Sequence, residues 1–449
     1  MMTVSPRDQD VTQLTAETVV ERIGAEQVRL VDLGFSDITG AAKAVTIPAE
    51  LLGPILDHGY RFDGAALTGG PRLIELDLYL VPDPATLIVF SADGGPRRAL
   101  LACSVHRRGG QPFAGDPRST LERALAAAIA TGYDYRVAME IEYYLFPEDE
   151  SDAARTESAG YFDLGDDIVA ATRDEIVAAL HGMGVGIGGA HHETGPGQEE
   201  LDLWPTGALR MADQVIIVRQ VIRSVAGRRG LRVSFMAKPR ADAPGSGMHI
   251  FQRMVRLADG ADAFYADEDQ LSAVGRQAIA GQLAHAPAMS AILCPTVNSY
   301  KRLAAGHRAP RHATWARVSQ ASLIRVPSRA PGEHGSIELE LRLADPMANP
   351  YLALAVALSC ALDGVRQGEE PPEPLDETLV RYDDEELRRL GVPSLPSTLG
   401  DALAVFADDE VVRGALGEYV VDQLLSVKQA EWDEYRRYVS PWEQARYGG

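Results

Sequence analysis

Cysteine is scarce in this chain, and the spacing of the few cysteines excludes two kinds of site. Only three, Cys103, Cys294 and Cys360, occur in 449 residues, and no pair of them has the Cys-x-x-Cys spacing. Such a set indicates neither a disulfide framework nor a zinc cluster. Because chains of this kind are typical of reducing compartments, we expect a cytoplasmic protein.

Positive charge and uninterrupted apolar runs are also lacking. The 43 Lys and Arg residues are outnumbered by 64 Asp and Glu, and the formal net charge of −21 argues against nucleic acid or an anionic membrane as partner. The most apolar stretch, residues 347–365, is interrupted by Asn349, Pro350 and Asp363, which predicts a buried helix and not a membrane span. Residues 1–15 have no apolar signal core.

The pattern of the chain changes near residue 110. Up to that point short β-type runs alternate with turns, and a helix near residues 48–58 is the only obvious one. At Asp116 and Pro117, an N-cap and a first-turn residue, a helix begins, and beyond it strands alternate with long helices. We predict an α+β protein with domains at residues 16–110 and 111–449.

Periodicity predicts the individual elements. The strands expected in the small domain are residues 28–33, 44–47, 73–80 and 86–90. Those expected in the large domain are residues 135–146, 232–238, 248–252 and 336–343. Helices are expected at about residues 168–183, 207–229, 270–290, 347–366 and 399–437.

Residues 190–203, A-H-H-E-T-G-P-G-Q-E-E-L-D-L, contain two acidic clusters around a Gly-Pro-Gly turn. This turn predicts a hairpin with Glu193 and Glu200 on facing arms, near enough to bind one cation. Two neighbouring carboxylates repel each other unless a proton or a metal lies between them, and hard divalent cations prefer oxygen ligands. Taken alone, a solvated acidic hairpin explains the segment equally well.

Further acidic residues and a histidine occur in the same large domain. Glu140 and Glu142 have the i, i+2 spacing that places both side chains on one face of a strand. His249 follows the small residues 245–247, and Glu340 lies in the alternating segment 336–343. Each piece alone is more typical of a wet sheet face, but together they favour a metal site. Oxygen-rich ligation with one imidazole suits Mg²⁺ or Mn²⁺ better than zinc.

The order of these motifs resembles the glutamine synthetase family along nearly the whole chain, and within it the branch of γ-glutamylpolyamine synthetases. The segments that carry the resemblance are 61–64, 140–142, 191–201, 235–239, 244–249, 298–303 and 345–352. The resemblance implies a β-grasp domain at residues 16–110 and a glutamine synthetase-type catalytic domain at residues 111–449, an antiparallel sheet funnel with surrounding helices. It also implies a homo-oligomer of two stacked hexameric rings.

The same resemblance implies roles for particular residues. One divalent metal would be bound by Glu142, Glu193 and Glu200, and a second by Glu140, His249 and Glu340. The glutamate substrate would be held by Gly245, Arg302 and Arg342. Arg325 would act on the phosphoryl group of ATP, the expected co-substrate. Asp63 would reach the site across a subunit interface and serve as the base.

The chain departs from the family pattern at the flap and at the nucleotide site. Arg308 stands where the family has a glutamate that takes a proton from ammonium, and arginine cannot act as a base near neutral pH. Either Arg308 faces the site or it turns outward on its loop. Residues that differ on the nucleotide side are Gly188, Gln320, Gly335 and Glu338. Tyr382 lies where some members carry a modified tyrosine, in surroundings too generic to predict regulation.

We therefore predict an ATP-dependent carbon–nitrogen ligase that joins glutamate to an amine or another nitrogen nucleophile, other than plain ammonia, through a γ-glutamyl phosphate. One alternative is an ATP-independent metalloenzyme on the same scaffold that acts on an amino acid or a γ-glutamyl compound. A second alternative is a non-catalytic paralogue.

Overall fold

The structure is a computed structural model. It describes residues 14–69, 76–91, 95–148, 160–266, 270–305, 308–328, 335–375 and 384–448. Within this part of the chain the buried apolar side chains form two clusters, a smaller one from residues 19–113 and a larger one from residues 121–424 together with Ile38. No helix of the described residues is long and apolar enough to cross a bilayer. Tyr382 lies outside the described residues.

The N-terminal unit is built around a mixed sheet of six strands in the order β2-β1-β6-β4-β3, with β5 also paired to β6. Strands β1 and β6 are parallel, whereas the other pairs are antiparallel. Its elements are α1 (Ala16–Ala25), β1 (Leu30–Ser36), β2 (Ala42–Pro48), α2 (Leu52–His58), β3 (Tyr60–Asp63), β4 (Asp77–Pro82), β5 (Ile88–Ser91) and β6 (Arg97–His106).

Sequence reasoning missed three elements of this unit: α1, β3 and β6. Helix α1 buries only Val19 and Ile23, so its apolar stripe is too narrow to stand out. Strand β6 has neighbours on both sides and carries a nearly continuous apolar run in place of clear alternation. Of the predicted strand 73–80, residues 73–75 lie outside the described part, and β4 begins at Asp77.

The C-terminal unit is built around eight strands in the order β12-β13-β14-β11-β7-β9-β8, with β10 paired to β7. Apart from the parallel pair β12–β13, neighbouring strands are antiparallel. The strands are β7 (Tyr133–Pro147), β8 (Ile187–His192), β9 (Gln198–Gly207), β10 (Leu231–Ser234), β11 (Met248–Arg256), β12 (Trp315–Ala316), β13 (Ile324–Arg325) and β14 (Leu339–Leu341).

Helices cover this sheet and form most of the larger core. They are α3 (Pro117–Ala130), α4 (Ile168–Gly182), α5 (Ala208–Arg228), α6 (Ala273–Leu293), α7 (Ser299–Ala305), α8 (Pro350–Gln367), α9 (Asp384–Arg389), α10 (Leu399–Asp408), α11 (Glu410–Leu416), α12 (Glu418–Arg437) and α13 (Pro441–Tyr447). As expected, Asp116 caps α3 by accepting from the backbone N–H groups of Arg118 and Ser119.

Three predictions about element length were wrong. The strand expected over residues 232–238 ends at Ser234. The helix expected over residues 399–437 is three helices, because Asp409 caps a new helix by accepting from the N–H groups of Val411 and Val412. Gly417, at φ +80°, ends that helix, a conformation that favours glycine. The strand expected over residues 336–343 pairs only at Leu339–Leu341.

The two units are joined by a buried charge network around Arg118, at the start of α3. Its guanidinium forms a fork with Asp213 of α5, with Nε and Nη2 each 3.0 Å from a carboxylate oxygen. The same Nη2 lies 2.7 Å from Asp83 of the N-terminal unit, and Nη1 donates to Ser104 and Glu122. Among these five residues Arg118 is the one that carries positive charge. Both units therefore share a single cation.

Three helices meet at His285, which predicts a pH dependence of stability. Its Nδ1 lies 2.7 Å from the Asp409 carboxylate that caps α11, and its Nε2 lies 3.3 Å from Asp363 of α8. The hydrogen bond to Asp409 outweighs burial and raises the pKa of His285. A raised pKa stabilises the fold below about pH 6.5, and this contribution is lost as pH rises through the pKa of the folded state.

We expect His285→Gln to lower the free energy of unfolding by about 1.5–3 kcal/mol at pH 6, the range for hydrogen bonds to charged groups, and by less at pH 9. Urea unfolding at both pH values measures the effect. His58→Gln, at the exposed end of α2, is the matched control and should change little at either pH. An equal loss at pH 6 and pH 9 would contradict the prediction.

Candidate active site

A cavity of about 610 Å³ lies against the large sheet and is lined mainly by charged side chains. The predicted site residues that line it are Glu140, Glu142, Glu193, Glu200, Gly245, His249, Arg302, Arg325, Glu340 and Arg342. Of the predicted site residues, Asp63 is not among the described residues that line this cavity.

Strand register brings the acidic residues together. On β7, Glu140 lies opposite His249 of β11, and two residues on, Glu142 lies opposite Glu200 of β9. Glu340 of β14 lies beside the same β11 strand. Because alternate residues of a strand face the same side, these side chains from four adjacent strands point into one space.

Glu140, His249 and Glu340 form the tightest group in the cavity, with one donor atom of each within 4.8 Å of the others. The His249 Nδ1 atom lies 3.0 Å from Glu140 Oε2 and 3.4 Å from Glu340 Oε1. Burial, reinforced by Arg342, holds the pKa of His249 well below its usual range. A neutral imidazole with two carboxylates is a donor set that fits a hard divalent cation.

Glu142, Glu193 and Glu200 line the same cavity but are not gathered into one group within the described residues. Glu142 Oε2 accepts from the backbone N–H of Gly247 at 2.9 Å. Glu193 Oε2 accepts from the N–H and hydroxyl of Thr194, at 2.7 and 3.0 Å, so this carboxylate is turned onto its own hairpin. Within the described residues Glu193 is therefore hydrogen-bonded to its own hairpin and is not grouped with Glu142 and Glu200.

The structure places two further residues, His191 and Asp202, against Glu200. Donor atoms of the three lie within 4.8 Å of one another, and the Glu200 Oε1 atom is 3.2 Å from His191 Nε2. Sequence reasoning missed Asp202, although its i, i+2 spacing from Glu200 is the signal that selected Glu140 and Glu142. The register also places Asp202 opposite Glu140.

Several carboxyl groups of this cavity have a raised pKa. Burial raises the pKa of Glu142 to about 7 and that of Glu200 to about 8. Burial and the neighbouring Glu140 charge raise the pKa of Asp202 to about 6. Clustered carboxyls with raised pKa values are typical of functional sites, and a bound cation would relieve their mutual repulsion.

Comparison with protein families and with known proteins decides what this cavity belongs to. The chain matches "Glutamine synthetase, catalytic domain" over residues 114–447 and "Glutamine synthetase, beta-Grasp domain" over residues 27–108. It is 38% identical to a glutamine synthetase of Halobacterium salinarum over 439 residues, covering 96% of this chain and 95% of that protein. This chain belongs to the glutamine synthetase family.

Other relatives agree at a similar level. A glutamine synthetase of Clostridium saccharobutylicum is 37% identical over 440 residues, covering 96% of this chain and 98% of that protein. Two solved structures, a GmaS complex with ADP and GmaS without ligand, superpose with TM-scores of 0.84 and 0.81 at 29% identity. The first covers 96% of this chain and 99% of that one, and the second covers 95% and 98%.

Membership in the glutamine synthetase family confirms the predicted fold class, a β-grasp domain followed by a catalytic domain. It also confirms the prediction of an ATP-dependent ligase. The domain boundaries at residues 16–110 and 111–449 and the roles of the individual site residues stay predictions.

The residues expected to bind glutamate, Gly245, Arg302 and Arg342, lie close together in the cavity lining. A Cβ on Gly245 would come within 2.7 Å of the Ala237 carbonyl oxygen and 2.8 Å of Arg302 Cγ, so only glycine fits there. The Arg302 guanidinium is buried and donates to the Leu343 carbonyl at 2.9 Å. Arg342 Nε donates to the Gln320 carbonyl at 3.0 Å, which anchors the chain that carries Gln320.

The residues that differ from the family pattern on the nucleotide side lie in different surroundings. Glu338, expected to place a negative charge there, forms an ion pair with Arg253 at 3.2 Å. Gly335 is exposed at φ +86°. Gln320 lines the cavity beside Arg325, whose Nε lies 2.7 Å from Glu340. Arg325 and Arg342 are both cations of the cavity lining that Gln320 shares.

Asp63 and Arg308 occupy contrasting positions. Asp63 ends β3 of the N-terminal unit, where its carboxylate accepts from the backbone N–H groups of Ala65 and Leu76, each at 3.0 Å. Arg308 does line the cavity, and its Nη1 donates to Thr194 Oγ1 at 2.8 Å. Of the two orientations open from sequence, the structure therefore has Arg308 facing the site.

Proposed function

We propose that this protein joins the side-chain carboxylate of glutamate to a nitrogen nucleophile other than plain ammonia, through a γ-glutamyl phosphate formed with ATP. The observation that carries the proposal is Arg308 in the cavity, at the position of the family's flap glutamate. A guanidinium cannot take a proton from ammonium, and its charge repels a cationic nucleophile. The acceptor should therefore reach the site uncharged at nitrogen.

The cavity supplies groups for both half-reactions. Arg302, Arg342 and the Gly245 backbone would hold glutamate, since a guanidinium fork matches a carboxylate. A side-chain oxygen of glutamate then bonds to the γ-phosphorus, and the bond from that phosphorus to the bridging oxygen of ADP breaks. The cation of Arg325 would stabilise charge on the transferring group. In the second step the nitrogen bonds to the carbonyl carbon, phosphate leaves, and the nitrogen proton passes to phosphate or water.

The carboxylates identified above would hold two divalent cations, Mg²⁺ or Mn²⁺. We assign one to Glu140, His249 and Glu340, and the other to Glu142, Glu193 and Glu200. Cations held there would neutralise phosphate charge and align the transferring group. The donor chemistry supports this assignment, since five carboxylates and one neutral imidazole favour hard cations.

Asp63 supports an oligomeric enzyme. This residue is outside the described lining of its own cavity, so we propose that it completes the site of a neighbouring copy and there relays the nitrogen proton to phosphate or water. Two stacked hexameric rings would provide such an arrangement. The partners are then small molecules and further copies of the chain, with no nucleic acid or membrane. Three free, buried cysteines fit a reducing cytoplasm.

Nucleotide use is supported by the solved structure of GmaS with ADP, which covers almost the whole chain. The test supplies the purified protein with ATP, glutamate, Mg²⁺ or Mn²⁺, and either hydroxylamine or ammonium. Hydroxylamine is largely unprotonated at neutral pH and needs no base. We expect release of ADP and formation of γ-glutamyl hydroxamate, with ammonium used about 10²-fold less efficiently, the lower range for loss of a general base.

Two outcomes would contradict the proposal. Equal use of ammonium and hydroxylamine would show that the missing flap glutamate has no effect on the choice of nucleophile. Absence of ADP release with both nucleophiles and both metals would show that the chain is not a working ligase. Tight ATP binding by calorimetry in the same buffers separates a failure of nucleotide binding from a failure of the chemistry.

A further inference from the structure

Three aromatic rings form one wall of the cavity. The rings of Tyr161 and Phe162 are 4.2 Å apart between centroids, and the His191 ring lies 4.3 Å from Phe162 and 5.7 Å from Tyr161. All three line the cavity, yet Tyr161 is 49% and Phe162 is 60% exposed. Large aromatic side chains left open beside a polar site provide a surface on which a flat apolar group can stack.

The backbone holds this wall in a conformation that costs energy. Phe162 has φ +64°, a left-handed conformation that bulky residues rarely adopt. Its N–H donates to the His192 carbonyl at 3.2 Å, which ties the strained residue to the hairpin that carries Glu193. Strain of this kind tends to persist at functional sites. Position 162 therefore places an aromatic ring in the cavity lining, although glycine would adopt the same backbone conformation without strain.

Arg308 lies beside the same wall, and within the described residues one protein group accepts a hydrogen bond from its guanidinium. Its guanidinium carbon is 5.9 Å from the centroid of Tyr161, and one of its five N–H donors is used by Thr194. The side chain is exposed, and within the described residues no carboxylate forms an ion pair with it. The guanidinium therefore lies beside the aromatic rings, and a guanidinium fork is suited to a planar carboxylate.

We infer that the acceptor is a primary aromatic amine that carries a carboxylate group. This inference rests on the proposed function and specifies its second substrate. An alkylamine resembles lysine, with a pKa of about 10.4, and is cationic at neutral pH. The lone pair of an aromatic amine is delocalised into its ring, so the nitrogen is uncharged without a base. The ring would stack on Tyr161 and Phe162, and the carboxylate would pair with Arg308.

The reaction balances with these groups alone. The amine nitrogen forms a bond to the carbonyl carbon of γ-glutamyl phosphate, and the bond from that carbon to the phosphate oxygen breaks. One proton leaves the nitrogen for phosphate or water. The products are an N-aryl γ-glutamylamide and inorganic phosphate.

The test compares four nucleophiles at saturating ATP and glutamate: hydroxylamine, aniline, 4-aminobenzoate and cyclohexylamine. We expect kcat/KM for 4-aminobenzoate to exceed that for aniline by about 10- to 100-fold, the worth of a charge-assisted hydrogen bond. Both should exceed cyclohexylamine, which has similar size but a protonated nitrogen and no aromatic face. Mass spectrometry identifies the amide product, and ADP release gives the rate.

Three variants assign the preference to Arg308 and Phe162. Arg308→Gln should reduce the ratio of 4-aminobenzoate to aniline towards one, and Arg308→Lys should restore part of it, mainly through KM. Phe162→Leu should lower kcat/KM for both aromatic amines relative to hydroxylamine. Arg311→Gln is the matched control, because Arg311 is an exposed arginine of the same loop outside the cavity lining, and the ratio should stay unchanged.

The outcomes distinguish this inference from the proposed function. Hydroxamate formation without any advantage of the aromatic amines over cyclohexylamine would overturn the aromatic acceptor and leave the ligase intact. A ratio unaffected by Arg308→Gln would overturn the role of the carboxylate. No turnover with hydroxylamine either would refute the proposed function and this inference together. Arg308 is exposed, so circular dichroism of its variants should match that of the unaltered protein.

Discussion

Glu340→Gln is expected to lower the rate of ADP release at least about 10³-fold, since it removes a proposed metal ligand and a charge from the transfer site. Glu340 is 1% exposed and forms ion pairs with Arg325 and Arg342. The substitution keeps the side-chain volume and removes only the negative charge. Affinity for Mn²⁺ by calorimetry should fall as well, because His249 and Glu140 alone offer an incomplete donor set.

The same substitution leaves two arginine cations without their carboxylate. Breaking such a buried pair typically costs about 3–5 kcal/mol, so the free energy of unfolding should also fall. Glu370→Gln is the matched control, because Glu370 pairs with Arg276 on the surface, where an ion pair is worth about 0–1 kcal/mol. Retention of Mn²⁺ affinity and rate in Glu340→Gln would exclude Glu340 as a ligand.

Arg118→Ala is expected to destabilise the chain by about 3–5 kcal/mol, the second large effect. Its guanidinium is almost fully buried and neutralises Asp213, which is itself buried and raised in pKa by burial. Without Arg118, Asp213 and Asp83 would face each other across the contact between the two units. The free energy of unfolding by urea, followed by circular dichroism, measures the loss.

A second measurement separates loss of the domain contact from simple loss of stability. Limited proteolysis of Arg118→Ala should cleave between the units faster than within them, because the contact between them is the part that is weakened. Arg136→Ala is the control: that arginine pairs with Asp134 at 3.0 Å on the surface and should contribute about 1 kcal/mol or less. A loss of similar size in both variants would contradict a special role for Arg118.

Local sequence patterns predicted part of the candidate site. The i, i+2 spacing of Glu140 and Glu142 correctly placed both in one cavity, because alternation along a strand is a local property. The Gly-Pro-Gly turn likewise predicted the hairpin of β8 and β9. The alternation of residues 336–343 predicted a longer strand than exists, since only Leu339–Leu341 has a partner strand, and pairing depends on β11 and β13.

What sequence reasoning could not supply is which side chains meet across strands. Glu200 meets His191 and Asp202 in the structure, whereas Glu193 turns to Thr194. The choice depends on the register of β8 and β9 and on side-chain rotamers, and neither leaves a periodic trace in the sequence. The aromatic wall is a similar case, because Phe162 combines a left-handed conformation with a hydrogen bond to His192, 30 residues further along the chain.

The sequence by itself determined the chemistry available to this protein: its acidic ligands, its glycine at position 245, and an arginine at position 308 in place of a base. Only the tertiary structure decided how these groups are arranged. It brought His249 next to Glu140, which is 109 residues away, turned Arg308 into the cavity, and kept Asp63 out of the described lining of its own chain's cavity. The physical reason is that residue identity is local, whereas strand register and domain packing arise from contacts between distant parts of the chain.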